Sequence, residues 1–284
     1  SAAGWTDRGR GRGGCEFPSP LSDMEDPFLA CPETPFIHME ETDSTNAEAM
    51  RLAAQGDGGP LWVVANRQMA GRGRLGRQWI SFDGNLHATL LITLHCEANE
   101  ITQVSLLAGI ALADAIAAAA AEGMPTGPDV FRPILKWPND LLIANAKCAG
   151  VLLETTALSA GAFCGVLGFG VNIDAAPSIA DRPATCLKQR GLHTTSAELR
   201  TYLDRAVRRA FRTLSAPDGF SNLKQCWLDT ALRLGSPLTV TTDTEVCSGA
   251  FAGLDEDGAL LLEGDTGVLR RVTFGDVSAA GIVV

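Results

Sequence analysis

The sequence predicts an α+β fold, with a mixed domain over residues 34–234 and a small all-β module over residues 235–284. Three observations predict it. Strand-like and helix-like segments alternate irregularly from Phe36 to Arg233, the pattern of a mixed sheet with helices against it. One of those segments, Ile101–Glu122, is a long alanine-rich run ending at Gly123. After Gly235-Ser236-Pro237 the pattern changes to short strands separated by Asp- and Gly-rich turns, as in a small β-barrel.

The elements follow in order. Residues 1–33 open with a Gly-, Arg- and Pro-rich segment without apolar periodicity, too little burial to offset the entropy of ordering, and are expected to be a disordered tail. They lack the apolar stretch of a secretory leader. Arg8, Arg10 and Arg12 leave an RGG-type RNA contact as one reading, a leader or added segment as the other, and Met24 as an alternative start. Phe36–Met39 reads as a strand, and Asp43-Ser44-Thr45-Asn46 opens a helix in which Thr45 and Glu48 fit a capping box and Gly56 fits the stop. Leu61–Ala65 is a second strand, residues 67–84 a Gly- and Arg-rich loop, and Leu86–Leu94 a third strand. Ile134–Ile143, Cys148–Thr155 and Gly165–Ile173 supply further strands, with turns at Asn145 and Ser159-Ala160-Gly161. Thr195 and Glu198 form a second capping box for a helix through Leu214, and Phe220–Arg233 reads as another helix. Leu238–Thr242, Glu245–Leu254, Ala259–Glu263 and Val268–Phe274 are the strands of the terminal module.

Composition excludes several function classes. Lys plus Arg is 23 against 33 for Asp plus Glu, a formal charge of −10, so no nucleic-acid partner held by phosphate contacts is expected. Aromatics are 6%, too few for base-stacking platforms. The longest uncharged stretch, Thr155–Ile173, carries four glycines and several polar side chains, so no membrane partner is expected. The eight cysteines contain no C-x-x-C pair and read as reduced thiols of a cytoplasmic protein.

Four motifs carry the chemistry. In Gln68–Trp79, Gly71, Gly73 and Gly76 satisfy G-x-G-x-x-G after a strand. The dinucleotide reading needs a helix at the third glycine, yet Gln78–Asn85 reads as turn and strand, and a P-loop lacks its Lys-Ser/Thr after Gly76. What remains is a loop with Arg67, Arg72, Arg74 and Arg77 and no acidic residue before Asp83. Glycine lets backbone approach a ligand and arginine offers forked donors to carboxylate and phosphate, so the loop is expected to close over an anion; a solvated basic loop is the plainer reading. In Leu135–Asp140, Pro138 should interrupt a strand and present Asn139 and Asp140 at a bend, with Lys136 a phosphate partner and Asp140 a Mg²⁺ ligand, or else simply form a turn. Lys147, opening the apolar run Cys148–Leu153, is either a guard of a sheet edge or a cation offsetting the charge of a carboxylate under activation. Gly168–Ile173 permits close approach of a backbone or ligand beside Asn172, or is a buried strand ending in an Asn turn.

Taken in order, these pieces (Asp43–Asn46, Gly71–Trp79, Lys136–Asp140, Lys147–Glu154 and Gly168–Ile173) make the sequence resemble the biotin protein ligase family, over residues 36–282 and including Gly253-Leu254-Asp255 and Gly275-Asp276-Val277. The resembled form is the one without a DNA-binding domain, since no helix-turn-helix precedes Ser44, and the N-terminal tail matches nothing in the family. The resemblance implies a mixed-sheet catalytic domain of the biotin/lipoate ligase (class II synthetase-like) type with an SH3-like terminal barrel. It implies two steps: biotin and MgATP give biotinyl-5′-AMP, and a lysine of a biotin carboxyl carrier protein of a biotin-dependent carboxylase then attacks the anhydride. By the same match Lys147 and Arg72 are catalytic. Ser44, Thr45, Asn46, Gln68, Arg72, Gly73, Arg74 and Lys147 bind biotin. Arg74, Arg77, Trp79, Lys136, Asn139, Asp140 and Asn172 line the nucleotide side, with Asp140 on the metal. Family members include monomers and homodimers, and nothing in the sequence chooses. Rival readings are a lipoate–protein ligase, a non-catalytic biotin sensor, and a dinucleotide oxidoreductase, the last disfavoured by the missing helix.

Overall fold

A computed structural model describes residues 27–28, 33–123, 131–159, 161–178 and 183–279. The chain opens with β1 (Phe36–Thr42), α1 (Thr45–Ala54), β2 (Leu61–Gln68) and β3 (Leu86–His95), followed by α2 (Ile101–Gly123). Then come β4 (Ile134–Lys136), β5 (Asp140–Ile143), β6 (Ala146–Ser159), β7 (Ala162–Val171), α3 (Ser196–Leu214) and α4 (Gly219–Thr230). The terminal module is β8 (Pro237–Thr241), β9 (Val246–Leu254), β10 (Leu260–Glu263), β11 (Leu269–Val272) and β12 (Asp276–Ala279).

The first seven strands form one mixed sheet, ordered β1-β2-β3-β7-β6-β5-β4, parallel only between β1 and β2. The strict alternation of β3 decides what each face holds. Leu86, Ala88, Leu90, Ile92 and Leu94 enter the main core with Val104, Leu107, Ala111 and Ile116 of α2 and Leu203, Val207 and Phe211 of α3. The opposite face carries His87, Thr89 and Leu91. There Leu91 joins Val63, Val166 and Ala49 of α1 in a smaller cluster, leaving the rest of that face to polar residues. α2 is the one described helix long and apolar enough to cross a membrane. Its apolar composition has a local cause, because 67% of that window is buried against the sheet and neighbouring helices.

Of the sequence-based boundaries, two hold and three need correction. Pro138 does split Ile134–Ile143, into β4 and β5, as its missing N–H requires. Thr45 is the first residue of α1 rather than its cap, Ser44 stands at the cap position, and Glu48 turns to Arg51 instead of closing a capping box. The stop at Gly56 has the expected left-handed φ of 97°, with Gly56 N–H donating to Ala53 O and Asp57 N–H to Leu52 O, a Schellman closure. The helix expected over Phe220–Arg233 ends at Thr230. A fifth strand, β12, pairs with β8 beyond Phe274, where the sequence suggested none.

The folded unit also reaches further toward the N-terminus than residue 34. Phe28 is buried, its ring 5.7 Å from that of Phe211 and 4.7 Å from the Arg208 guanidinium. The readings attached to Arg8, Arg10, Arg12, Met24, Cys15 and Cys31 lie outside the described residues. The remaining six cysteines are free thiols.

Candidate active site

The polar face of the sheet holds a cavity of about 340 Å³. It is lined by the start of α1, the end of β2, the arginine loop, the β4–β5 turn and the first residues of β12. The fourteen site residues that the resemblance implies all line it, namely Ser44, Thr45, Asn46, Gln68, Arg72, Gly73, Arg74, Arg77, Trp79, Lys136, Asn139, Asp140, Lys147 and Asn172, whereas Arg67, Gly71 and Gly76 of the same loop do not.

At one end is a cluster of amides and hydroxyls. Gln68 Oε1 accepts from the Thr45 backbone N–H (2.8 Å) and hydroxyl (3.1 Å), which leaves its Nε2 as a donor for a ligand. Asn46 Nδ2 donates to Leu152 O (3.3 Å) and Glu154 Oε2 (2.8 Å), and the Thr89 hydroxyl lies 2.7 Å from Asn46 Oδ1. With both amide hydrogens used, Asn46 has only oxygen lone-pair capacity left. This end therefore presents one donor and one acceptor, side by side on α1 and β2. The first turn of α1 contributes buried Ser44, Thr45 and Asn46.

The middle of the cavity is shaped by side chains of the chain itself. A Cβ on Gly170 would stand 2.6 Å from Trp79 ring carbons, and one on Gly168 would fall on Asn46 Oδ1 well inside contact distance. The close approach expected along Gly168–Ile173 is thus made by Asn46 and Trp79. The Trp79 ring lies against β6 and β7 and carries Lys147 Nζ 6.0 Å from its centroid.

At the other end Asp140, the first residue of β5, sits between two lysines. Its Oδ1 is 2.5 Å from Lys147 Nζ and its Oδ2 is 3.2 Å from Lys136 Nζ. Burial alone would push its carboxyl up, but Lys147 and Lys136 hold it below its ordinary value. Lys136 is itself buried, which lowers its pKa, and its Nζ also donates to Val277 O at 2.9 Å. The expected free phosphate partner is therefore committed to Asp140 and to the terminal module. Both oxygens of Asp140, the expected metal ligand, carry ammonium groups in this structure, so a cation bound there would take the place of one of them. Asn139 Nδ2 donates to Val151 O (2.6 Å) and Asn172 Nδ2 to Thr185 O (3.2 Å), so both amides also hold the local backbone.

The arginine loop lies over the cavity mouth with its cations distributed. Arg72 is 3.3 Å from Glu154, Arg74 donates to Gly275 O at 3.3 Å, and Arg77 makes a two-pronged pair with Asp276 at 3.1 and 2.5 Å. The loop expected to close over an anion is thus tied to the sheet and to the terminal module by the protein itself. Sequence reasoning missed Glu154, Thr89, Gly275 and Asp276. Glu154 and Asp276 lay inside motifs already quoted, and their unlike charge to the loop was the available signal.

A mixed sheet that holds a polar helix start, an arginine loop and a lysine-flanked carboxylate over one cavity, with a β module closing its end, is built like a cofactor-attaching ligase. Comparison with known proteins agrees: the model of the biotin/lipoate A/B protein ligase family matches residues 36–172, and that of the biotin protein ligase C-terminal domain matches residues 234–279. The chain belongs to the biotin protein ligase family. It is 37% identical to biotin–[acetyl-CoA-carboxylase] ligase of Paracoccus denitrificans over 81% of this chain and 94% of that protein. To the bifunctional ligase/repressor of Bacillus subtilis it is 30% identical, over 82% of this chain and 71% of that one. Among solved structures, biotin protein ligase from Aquifex aeolicus in complex with biotin and ATP superimposes with a TM-score of 0.69 at 25% identity, covering 86% of this chain and 98% of that one.

Proposed function

We propose that this chain is an ATP-dependent ligase that activates biotin as biotinyl-5′-AMP and transfers it to one lysine of a biotin carboxyl carrier protein, the domain that serves a biotin-dependent carboxylase. The observation that carries this reading is the pairing within one cavity of a free amide donor and acceptor at one end with a group of cations at the other. A cyclic urea presents a carbonyl and an N–H; Gln68 Nε2 suits the first and Asn46 Oδ1 the second. Ser44 and Thr45 complete the same end.

Arg72, Gly73, Arg74 and Lys147 are placed for the carboxylate. A carboxylate oxygen attacking the α-phosphorus forms the anhydride bond, while the bond to the β-phosphate oxygen breaks and pyrophosphate leaves with that electron pair. Two anions must meet for this, so preorganised cations supply the stabilisation. Lys147 is the best-placed catalytic group: Asp140 keeps its ammonium fixed, and the Trp79 ring lies under it. Arg74, Arg77, Trp79, Lys136, Asn139, Asp140 and Asn172 form the nucleotide side, several of them acting by holding that wall in shape. Magnesium enters as MgATP, part of the substrate. In the second step the carrier's neutral amine attacks the acyl carbon, an amide bond forms, AMP departs with the electron pair of the broken anhydride, and the amine's surplus proton passes to solvent. No cysteine is required.

A lipoate ligase would present a dithiolane to Gln68 and Asn46 and leave both unpaired, and a site built on hydrogen bonds rejects an analogue lacking them by large factors, about 10⁴ or more. The test is ATP–pyrophosphate exchange with biotin and lipoate side by side, followed by transfer to a carrier domain. Biotin-dependent exchange and a biotinylated carrier are expected. Preference for lipoate moves the chain to the other branch, and tight biotin binding without exchange makes it a sensor.

A further inference from the structure

We infer that Glu154 is a positioning residue that links the two ends of the biotin pocket, fixing the Asn46 amide with one contact and parking Arg72 with another. The inference rests on the ligase reading and assigns a role to a residue that reading leaves idle. Glu154 lies on β6 opposite Val166 of β7, on the sheet face that carries the cavity. Its Oε2 accepts from Asn46 Nδ2 at 2.8 Å, and its carboxylate stands 3.3 Å from Arg72.

Two consequences follow from ordinary hydrogen-bond chemistry. First, an amide side chain is free to turn end for end unless its partners forbid it. Glu154 as a carboxylate accepts only, as does the carbonyl of Leu152, so together they force the Asn46 nitrogen toward β6 and its oxygen toward Thr89 and the cavity. The acceptor offered to a ligand N–H is therefore set by Glu154. Second, Arg72 is half-exposed, and it meets Glu154 through one guanidinium nitrogen, 3.3 Å from each carboxylate oxygen, an exposed contact that an incoming carboxylate can displace. Glu154 holds the guanidinium near the mouth while the pocket is empty, without binding it tightly enough to compete. The contacts run as one chain, from Gln68 through Thr45, Thr89, Asn46 and Glu154 to Arg72.

The experiment is Glu154→Gln in the full chain, which keeps the size and removes the charge. A glutamine can show Asn46 either an oxygen or an N–H, so only the longer 3.3 Å contact with Leu152 O still orients the amide. Biotin affinity without nucleotide is measured by calorimetry, and initial rates give kcat and KM for adenylate formation. The expected result is biotin affinity weakened about tenfold or more and KM raised in parallel, with kcat changed less than about threefold, the scale of one lost charge-assisted hydrogen bond. Combined with Asn46→Ala, the change should add little further, because Glu154 acts through Asn46. Melting temperature serves as the control for folding. A wild-type chain that binds no biotin refutes the ligase reading and, with it, this role. Wild-type binding matched by an equally tight E154Q variant overturns the role of Glu154 alone, as does full additivity with Asn46→Ala.

Discussion

At the scale of single residues, the site depends on a few atoms whose partners are already chosen. Lys147 is the clearest case. Its ammonium is fixed by Asp140, and the half-exposed side chain remains accessible to a ligand in the cavity. Truncating it leaves Asp140 with only Lys136, turning a net cation into a balanced pair. Lys147→Ala, and likewise Arg72→Ala, should therefore lower adenylate formation by about ten- to a hundredfold, the range for a lost electrostatic stabiliser. Stopped-flow or exchange kinetics will measure it, and wild-type rates would remove that residue from the mechanism. Gly170 gives a steric counterpart. An added methyl there meets the Trp79 ring at 2.6 Å on a rigid strand, so Gly170→Ala should displace the indole and raise KM for ATP or biotin at least about tenfold. An unaltered KM with unaltered tryptophan fluorescence would show that Trp79 has room to move. The sequence made the identities of Lys147, Trp79 and the glycines legible. It did not make their partners legible, because Asp140, Glu154 and Asp276 lie 7, 82 and 199 positions from the cations they hold, a relation that only the sheet order creates.

At the scale of elements, β3 shows what alternation commits a strand to. One of its faces is pure core, and the other places His87 beside Gly170 and Ala65, 1% exposed. Burial pushes the His87 imidazole down from 6.5 to about 4. Between those values the unfolded chain binds a proton that the folded chain refuses, so stability is full above pH 6.5 and falls as the pH drops toward 4. The loss should reach about 3 kcal/mol across that window. Urea denaturation of the wild type and of His87→Gln at pH 7 and pH 4.5 should show the wild type losing more. Identical losses in both would assign the acid sensitivity to other groups. The arginine loop makes a second element-level test, since its basic residues are trypsin sites held by exposed ion pairs that are individually weak. Biotin with MgATP should slow cleavage within Arg72–Arg77 about tenfold or more, and equal cleavage rates with and without them would mean that the loop does not close on ligand. Most elements were legible because period and punctuation agree: the Thr195–Glu198 box forms as expected, with the Glu198 backbone N–H donating to Thr195 Oγ1 at 3.2 Å. The Thr45 box failed because Gln68, 23 positions away, takes the Thr45 hydroxyl, and β12 was missed because four residues carry too little pattern.

At the scale of the whole molecule, the boundary near residue 235 separates two sequence patterns but not two cores. Leu238, Val240, Phe251, Leu260 and Val277 of the terminal module belong to the same buried cluster as Leu135, Trp137 and Trp227 of the larger domain. The polar ties converge on one short segment: Gly275 O takes Arg74, Asp276 takes Arg77, and Val277 O takes buried Lys136. These ties are unequal. Arg77 and Asp276 are each 42% exposed, so Arg77→Ala should cost less than about 1 kcal/mol of stability. Lys136 is 2% exposed and neutralises a buried carboxylate, so Lys136→Met should cost about 3 kcal/mol, moderated by the Lys147 that remains on Asp140. Because the apolar seam is continuous, both variants should still unfold in a single calorimetric transition with equal calorimetric and van't Hoff enthalpies. Two separated transitions in the wild type would show that the module is an independent domain resting on the pocket. The wall formed by Gly275 to Ser278 would then move apart from the catalytic sheet, and the cavity geometry would belong to only one of its positions.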